Sequence, residues 1–344
     1  MLLQENENIK KILIIRLSSI GDIILTTELI RLIRKRFPDA TIDFLIQKEY
    51  KELLRFNSRI NNIIEYDKKL SLNEINDARN EYLKGEKYDL VVDLHNNVRT
   101  RHWRRGIYKN LVKVRKYRLE KLALVHINNS FNSMPHVTDR YYNVVSHLGI
   151  EKDNRRLEVW LEDENAYKAV ENSTANKVIG IAPGAKHFTK MYPKEKIILL
   201  FEKLMVIYPN YKFKIFGIDE DKPLAEKFIK LNKTAVSDFC GELTLLETAK
   251  ELDSCDVLIS NDSGLMHLAA ARKVPSLAIF GSTVPQFGFT PYGNRSEIVE
   301  IDLDCRPCTH IGRDKCPKGH FNCMNLIEND IILEKLERLL NGYG

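Results

Sequence analysis

One carboxylate, that of Asp22, follows the apolar run "KILII" within the segment "RLSSIGDIILTTELI" (16–30). An apolar run followed by a helical pattern is typical of a strand leading into a helix, and such a turn commonly binds a phosphate. This turn has one glycine, Gly21, and an acid beside it. Two interpretations are open: Asp22 is a capping acid favoured by the helix dipole, or it is a general base that deprotonates a hydroxyl.

The segment "SNDSGLMHLAAA" (260–271) carries the pattern of a helix start suited to an anion. Asp262 and Ser263 are good N-cap residues, and the free amides near Gly264 can bind a diphosphate. His267 lies one turn further on, on a face that can meet a ligand. The alternative is an ordinary capped helix with a satisfied histidine.

A second turn in the same half, "GIAPGAKHFTKMYPKE" (180–195), carries Thr189 and Lys190 just before a helix predicted to start near Pro193. A hydroxyl and an ammonium at this position suit phosphate oxygens. Lys186 of the same loop is interpreted as a solvated charge. Two phosphate-compatible turns in one α/β domain favour a nucleotide site.

Two weaker signals extend this nucleotide site. Leu243, in "GELTL", precedes a helix and can border an adenine, and Glu220, in "FGIDEDK", follows a strand where a ribose can be held. Acids after strands are common on protein surfaces, so both assignments depend on the phosphate site.

The segment 93–122 is strongly basic, with ten Lys and Arg and one acid between residues 99 and 121. It follows the predicted strand "DLVVDL", where active-site loops lie in α/β folds. Arg99 and Arg101, with Arg104, are therefore expected to hold an acceptor that bears phosphate or carboxylate groups. The alternatives are a solvated helix face or nucleic acid, and the latter is disfavoured because Trp103 is the only aromatic residue between 99 and 105.

Three further residues complete the predicted acceptor set. Ser19 belongs to the Asp22 turn, and His136 and Arg140 stand at the start of a helical pattern in "HVTDRYYNVVSHLG" (136–149). Arg140 can equally be a structural partner of the neighbouring acid.

Short β-branched runs that alternate with amphipathic stretches must position these residues. Nine strands are predicted, at 11–17, 41–46, 61–66, 89–94, 111–115, 177–183, 211–217, 255–260 and 275–281. Alternation of apolar strands with helices predicts α/β domains with parallel sheets covered on both faces. A polar stretch after residue 150 separates two such series, so the predicted limits are 1–160 for an acceptor domain, 161–326 for a nucleotide-sugar domain and 327–344 for a C-terminal helix.

Composition restricts the class of protein. The chain has 344 residues, 44% hydrophobic and 29% charged, with a formal net charge of +6, which is typical of a globular protein and compatible with anionic partners. No apolar run has the length of a signal peptide core or the ~20 residues of a membrane span. We therefore expect a cytoplasmic protein, with any membrane contact peripheral.

Four cysteines near the end form the pattern C-x2-C-x7-C-x6-C, at Cys305, Cys308, Cys316 and Cys323. Reduced cysteines at such spacing either pack as thiols or bind a structural zinc, and only the first pair has the familiar knuckle spacing. Packed thiols are the preferred interpretation. The acid pairs "DED" and "DLD" lie at no obvious phosphate turn and are not predicted to bind a catalytic metal.

Together these motifs resemble glycosyltransferase family 9, the heptosyltransferases of lipopolysaccharide core assembly, over nearly the whole chain. The matching segments are "KILIIRLSSIGDIILTTELI", "DLVVDLHNNVRTR", "HVTDRY", "APGAKHFTKMYP", "NDSGLMHLAAA" and "CRPCTHIGRDKCPKGHFNCM". The chain departs from many relatives at His95-Asn96, where they carry Gln-Gly.

The resemblance implies a GT-B architecture, with two Rossmann-like doubly wound domains facing a central cleft. It implies metal-free, inverting transfer of a heptose from ADP-heptose to an anionic, lipid-linked inner-core acceptor at the cytoplasmic face of the inner membrane. Asp22 would be the catalytic base, Lys190 a phosphate ligand, and Asp262, Ser263, Gly264 and His267 the diphosphate site.

Other functions remain open at this point. One is a transferase of the same fold that uses another nucleotide-sugar, and another is a non-catalytic anion- or nucleic-acid-binding protein. A dinucleotide oxidoreductase is disfavoured because neither half carries G-x-G-x-x-G.

Overall fold

The computed structural model describes residues 9–127, 134–153, 156–162 and 177–342. They form two compact units: unit 1 comprises Met1–Lys116 and Val137–Asn165, and unit 2 comprises Tyr117–His136 and Ala166–Gly344. The division near residue 165 falls within 163–176, outside the described residues. The limits predicted from the sequence stay predictions.

Strands and helices alternate along most of the described ranges. Its elements are β1 (Lys11–Ile15), α1 (Ile20–Ile24), α2 (Thr27–Arg36), β2 (Thr41–Gln47), β3 (Asn62–Tyr66), α3 (Leu72–Leu83), β4 (Tyr88–Asp93), α4 (Val98–Trp103), β5 (Tyr108–Lys113), α5 (Arg118–Ile127), α6 (Val137–Val145), β6 (Val178–Ala182), α7 (Lys194–Ile207), β7 (Lys212–Ile215), α8 (Lys222–Leu231), β8 (Val236–Asp238), α9 (Leu245–Leu252), β9 (Val257–Asn261), α10 (Gly264–Ala271), β10 (Ser276–Ile279), β11 (Ser296–Val299), α11 (Asn322–Asn325) and α12 (Asn329–Asn341).

Unit 1 contains a parallel sheet with the strand order β3-β2-β1-β4-β5. From β1 the chain proceeds to β2 and β3 on one side, and then to β4 and β5 on the other. The order therefore reverses between β1 and β4, and ligands of such sheets bind outside the carboxyl ends of the strands at this switch point. The loops that follow β1 and β4 carry Asp22 and His95.

Unit 2 repeats this plan with the parallel order β11-β10-β9-β6-β7-β8. Its order reverses between β6 and β9. The loop after β6 leads to Lys190, and the loop after β9 carries Asp262 and Ser263. The two turns that the sequence marks as phosphate-compatible thus meet at one switch point.

The predicted α/β class, with two doubly wound parallel sheets, is confirmed. All nine predicted strands are present, although β5 starts at Tyr108, three residues before the predicted start. The prediction omitted two short strands, β8 with the sequence "VSD" and β11 with "SEIV", because neither shows an apolar run. The helix predicted near Pro193 begins at Lys194 as α7, with Pro193 as its N-cap.

Helix α5 belongs to unit 2, although its neighbours in sequence belong to unit 1. Leu124 of this helix and Met134 form an apolar cluster with Val284 and Phe287, which follow β10. The backbone N–H of Met134 also donates to the carbonyl of Gln286 at 3.1 Å. No helix in the described part of the chain combines the length and apolar character that crossing a bilayer requires.

Candidate active site

Asp22 is the third residue of α1, and its carboxylate is held on both oxygens. Oδ2 accepts hydrogen bonds from the backbone N–H and the hydroxyl of Ser19, at 3.3 and 3.1 Å. Oδ1 lies 2.7 Å from Nη2 of Arg16. Asp22 therefore caps its helix, and its lone pairs directed away from Ser19 and Arg16 leave the carboxylate able to accept a further proton.

Arg16 joins the ends of two neighbouring strands. Its Nε donates to the carbonyl of Ser18 at 2.8 Å, and its Nη1 donates to the carbonyl of Leu94, just after β4, at 2.6 Å. The ring of Tyr141, on α6, lies 5.9 Å from the guanidinium carbon. Since Arg16 also binds Asp22, it places that carboxylate at the switch point of unit 1.

The charge of Asp22 depends on this arginine. Burial raises the pKa of Asp22, but the Arg16 charge and the Ser19 hydrogen bonds outweigh burial, so the pKa lies below its ordinary value. Burial likewise lowers the pKa of Arg16, and Asp22 more than offsets it. Asp22 is therefore ionised at neutral pH, the state that a proton acceptor needs. The sequence left the balance between burial and dipole open, and no motif in it indicated the role of Arg16.

Asp93, at the end of β4, is fully buried and fixes the following loop. Its carboxylate accepts hydrogen bonds from the backbone N–H groups of His95 and Asn96, at 3.1 and 2.7 Å, and from the hydroxyl of Thr100 at 2.9 Å. Arg104 is also buried and forms an ion pair with it at 2.9 Å. Arg104 therefore holds the loop in place, and its guanidinium is not an exposed acceptor ligand.

The predicted acceptor residues are placed unequally. Arg99 and Arg101 are exposed on α4, and neither forms an ion pair within the described ranges, whereas Arg140 is buried. Ser19 is exposed beside Asp22. His136 belongs to unit 2, where its Nε2 lies 3.0 Å from the carbonyl of Thr290, so it is not grouped with the residues of unit 1.

In unit 2, Lys190 and Asp262 form an ion pair at the switch point. Lys190 Nζ lies 2.7 Å from Asp262 Oδ2, which also accepts a hydrogen bond from the hydroxyl of Thr283 at 2.7 Å. Asn261, at the end of β9, is hydrogen-bonded to the loop after β6, because its Nδ2 donates to the carbonyl of Pro183 at 2.6 Å. A half-buried ammonium is thus held next to the start of α10, where an anion would bind.

The other predicted donor residues of this switch point have different environments. Ser263 is the N-cap of α10 and half-buried, its hydroxyl lies 3.1 Å from that of Ser260, and Gly264 opens the helix. His267 is buried at 3% exposure, so its imidazole packs inside unit 2. Thr189 is also buried.

Thr189 connects loops that are distant in sequence. Its hydroxyl accepts hydrogen bonds from the hydroxyl of Ser282 at 2.9 Å and from the backbone N–H of Arg313 at 2.8 Å, and its side chain is 1% exposed. This geometry favours a role in positioning Lys190. Its predicted contact with phosphate stays a prediction.

Glu220 and Leu243 follow the neighbouring strands β7 and β8, Glu220 exposed and Leu243 half-buried. No motif in the sequence indicated the position of Asp221, whose carboxylate lies close to Gly184 after β6 and Gly217 after β7. A Cβ atom on Gly184 or Gly217 would approach the Asp221 carboxylate to 2.5 or 2.6 Å, so only glycine leaves room for this acid. Burial raises its pKa.

The four C-terminal cysteines are free thiols. Cys323 is buried, and its burial raises the pKa to about 11, while Cys305 Sγ lies 3.9 Å from Nε2 of His320. In the described ranges no three His, Cys, Asp or Glu residues are grouped so as to hold a metal ion. Packed thiols and a structural zinc both stay predictions for these four cysteines.

Comparison with known proteins places this geometry in context. A family model described as glycosyltransferase family 9 (heptosyltransferase) matches residues 78–317. Lipooligosaccharide heptosyltransferase 2 of Haemophilus influenzae is 25% identical over 352 residues, which cover 96% of this chain and 99% of that protein.

Two solved structures share the fold. The glycosyl transferase family 9 protein from Veillonella parvula matches with a TM-score of 0.76 and 22% identity over 99% of both chains. Heptosyltransferase WaaC of E. coli, solved with ADP, matches with a TM-score of 0.69 and 16% identity over 96% of this chain and 99% of that one. The family resemblance and the GT-B class inferred from the sequence are confirmed.

The lowered pKa of Asp22 gives a prediction for Asp22→Asn. A carboxylate whose pKa is lower in the folded state stabilises the fold above its unfolded pKa, and this contribution is lost as the pH falls through the folded value. We expect the native chain to exceed the variant in free energy of unfolding at about pH 7, and this difference to shrink by about pH 3. Urea unfolding at both pH values measures it.

Asp77→Asn is the matched control, because Asp77 is exposed on α3. Its difference from the native chain should stay small at both pH values. A difference for Asp22→Asn that does not change with pH would contradict the ion pair with Arg16.

Proposed function

Since the chain belongs to glycosyltransferase family 9, we propose that it transfers a heptose from ADP-heptose to an anionic acceptor of the lipopolysaccharide inner core. The observation that carries this proposal is the ionised Asp22 carboxylate, held by Arg16 at the switch point of a parallel sheet. The relatives named as heptosyltransferases support the sugar, and the structure of one of them with ADP supports the nucleotide.

Asp22 acts as the general base in the proposed reaction. Its carboxylate accepts the proton of an acceptor hydroxyl while the oxygen attacks the anomeric carbon from the face opposite the diphosphate, so the configuration inverts. The bond from that carbon to the diphosphate breaks, and ADP leaves. Because a lowered pKa makes a carboxylate a weaker base, Asp22 completes proton transfer only as the acceptor oxygen becomes acidic in the transition state.

Lys190 acts on the leaving group. Its ammonium, with the amides at the start of α10 near Ser263 and Gly264, stabilises the charge that develops on the diphosphate. This ammonium is paired with Asp262. The diphosphate must therefore share Lys190 with a carboxylate, and Thr283 helps to keep that carboxylate in place.

The remaining predicted contacts follow from the same reaction. Glu220 and Leu243 are proposed to hold the ribose and the adenine of the donor. On the acceptor side, Arg99 and Arg101 bind the anionic groups, since their guanidinium groups are exposed and not paired with a carboxylate in the described ranges. No resident cofactor is proposed.

We expect Asp22→Asn to lower kcat by about 10³-fold, because the amide cannot accept the proton. ADP binding should be unchanged, since the variant leaves unit 2 intact. The assay measures ADP released from ADP-heptose in the presence of heptose-deficient core lipids, and NMR of the product reports the anomeric configuration. Asp77→Asn is the control and should turn over normally.

Other outcomes of this assay separate the alternatives. If the chain releases nucleotide from another nucleotide-sugar but not from ADP-heptose, and only when acceptor is present, the proposed donor is wrong and the transferase activity stands. Turnover by Asp22→Asn close to that of the native chain would refute the base.

We expect Lys190→Ala to lower kcat/KM for the donor by about a hundredfold. The change removes the ammonium and leaves Asp262 unpaired, so its charge then repels the diphosphate. Lys186→Ala is the matched control, because Lys186 is an exposed lysine of the same loop. Calorimetry measures the binding of ADP, and steady-state kinetics measure turnover of the donor. Native-like values for Lys190→Ala in both measurements would remove Lys190 from the donor site.

Helix α5 is the proposed peripheral contact with the cytoplasmic face of the inner membrane, where a lipid-linked acceptor would lie. Leu119 and Leu122, one turn apart, are 80% and 52% exposed, and Ile127 is 71% exposed. Arg118 and Lys121 give the same helix positive charge. Apolar residues beside basic ones suit the surface of an anionic bilayer.

We expect Leu119→Ser combined with Leu122→Ser to weaken binding to anionic phospholipid vesicles by about tenfold or more, because two exposed apolar side chains no longer enter the bilayer. Co-sedimentation measures the bound fraction. Leu199→Ser is the control, since Leu199 is 54% exposed on α7. Equal binding by the native chain and the double variant would exclude α5 as the contact.

A further inference from the structure

His95 lies beside the base without taking part in the mechanism described so far. It follows Leu94, whose carbonyl accepts a hydrogen bond from Nη1 of Arg16 at 2.6 Å. The same guanidinium binds Asp22 through Nη2. Arg16 thus brings the loop that carries His95 next to the loop that carries Asp22, at the switch point where a ligand of this sheet would bind.

The backbone of this loop is held by several hydrogen bonds. The N–H groups of His95 and Asn96 both donate to Oδ1 of the fully buried Asp93, and Nδ2 of Asn96 donates to the carbonyl of Val114 at 2.9 Å. Asn96 has a φ of 46°, a conformation that asparagine tolerates better than most residues. The imidazole of His95 is therefore presented from a fixed turn.

The imidazole itself is neutral. Burial lowers the pKa of His95 to about 4, and the positive charges of Arg16 and Lys116 act in the same direction, whereas Asp22 and Asp93 oppose them. At neutral pH one ring nitrogen carries a proton and the other is an acceptor. Such a ring can bind a hydroxyl in either direction.

The two ring nitrogens have different surroundings. Nδ1 is buried and has no hydrogen-bond partner among the described residues, whereas Nε2 is not enclosed in this way. Nε2 is therefore the edge of His95 that a ligand can reach.

A second polar group near Asp22 is also unsatisfied. The hydroxyl of Tyr141 is buried without a partner in the described part of the chain, and the residue is 2% exposed. The charges of Arg16 and Asp22 act on it. Buried polar groups without partners are rare, and each calls for a physical explanation; two of them beside one ionised acid indicate a site arranged for a ligand. The ring of Tyr141 lies 5.9 Å from the guanidinium carbon of Arg16, and Nε2 of His95 is the ring nitrogen that is not enclosed.

We propose that His95 binds, through Nε2, a hydroxyl oxygen of the acceptor sugar adjacent to the hydroxyl that Asp22 deprotonates. The acceptor is then a saccharide with two neighbouring hydroxyl groups, of which one is the nucleophile and the other is held by the imidazole. His95 is a positioning and specificity-determining residue of the acceptor site. This inference rests on the proposed transfer reaction.

Three substitutions test which nitrogen is used. Glutamine places an amide group near the position of Nε2, asparagine near that of Nδ1, and leucine removes hydrogen bonding altogether. We expect His95→Gln to keep the acceptor KM and kcat within about threefold of the native chain. His95→Asn and His95→Leu should raise the acceptor KM about tenfold, the loss of one hydrogen bond, and should also lower kcat. The donor KM should not change.

The probe is a deacylated, heptose-deficient inner-core oligosaccharide, and its binding without donor is measured by calorimetry beside the transfer assay. His147→Leu is the matched control, because His147 is exposed near the end of unit 1. Urea unfolding shows whether each variant folds. A variant that does not fold is set aside, and the comparison of His95→Gln with His95→Asn then decides.

The results separate this inference from the proposed function. Absence of heptose transfer by the native chain to any core lipid refutes the function before a variant is made. Transfer by the native chain with native kinetics for His95→Leu overturns the role of His95 alone. A rise in the donor KM instead of the acceptor KM also overturns it, as does equal rescue by asparagine and glutamine.

Discussion

The ion pair between Arg16 and Asp22 organises the reactive end of unit 1. Arg16 holds the carboxylate, the carbonyl before α1 and the carbonyl after β4 at once. Burial raises the pKa of this half-buried carboxylate, and the charge of Arg16 lowers it. The arginine therefore makes burial and ionisation compatible, at the cost of a weaker base. Since it also binds the β4 loop, the position of His95 depends on the same side chain.

Unit 2 also has a charged side chain at its switch point, in this case a cation paired with an acid. In the proposed reaction Lys190 acts on the diphosphate, and the structure gives it Asp262 as a partner. The pair satisfies the half-buried ammonium, yet it would compete with a diphosphate for the same cation. A donor with two or more negative charges can compete where a neutral ligand cannot. In the proposed reaction, this competition favours a nucleoside diphosphate over a neutral ligand.

The sequence predicted what depends on local patterns. Apolar β-branched runs predicted nine of the eleven strands in the described ranges, and the residue types in two turns led to the proposals for Asp22 and Lys190. Arg16 was missed because its role depends on β1 and β4 being neighbours, which no local pattern states. The hydrogen bonds of Thr189 were not predicted for the same reason, since its partners lie about 90 and 120 residues away in sequence. Residues that act through long-range contacts need the sheet order before they can be interpreted.

The assignment of α5 to unit 2 affects the order in which the chain can fold during synthesis. Unit 1 is completed by residues up to 165, so it can form while the rest is still being translated. Leu124 leaves the ribosome about 160 residues before Val284 and Phe287, its apolar partners. Until then the inner face of α5 has no cover from unit 2. During synthesis, a chaperone or the bilayer would cover this apolar face of α5. In the isolated amino-terminal half the face would stay uncovered permanently.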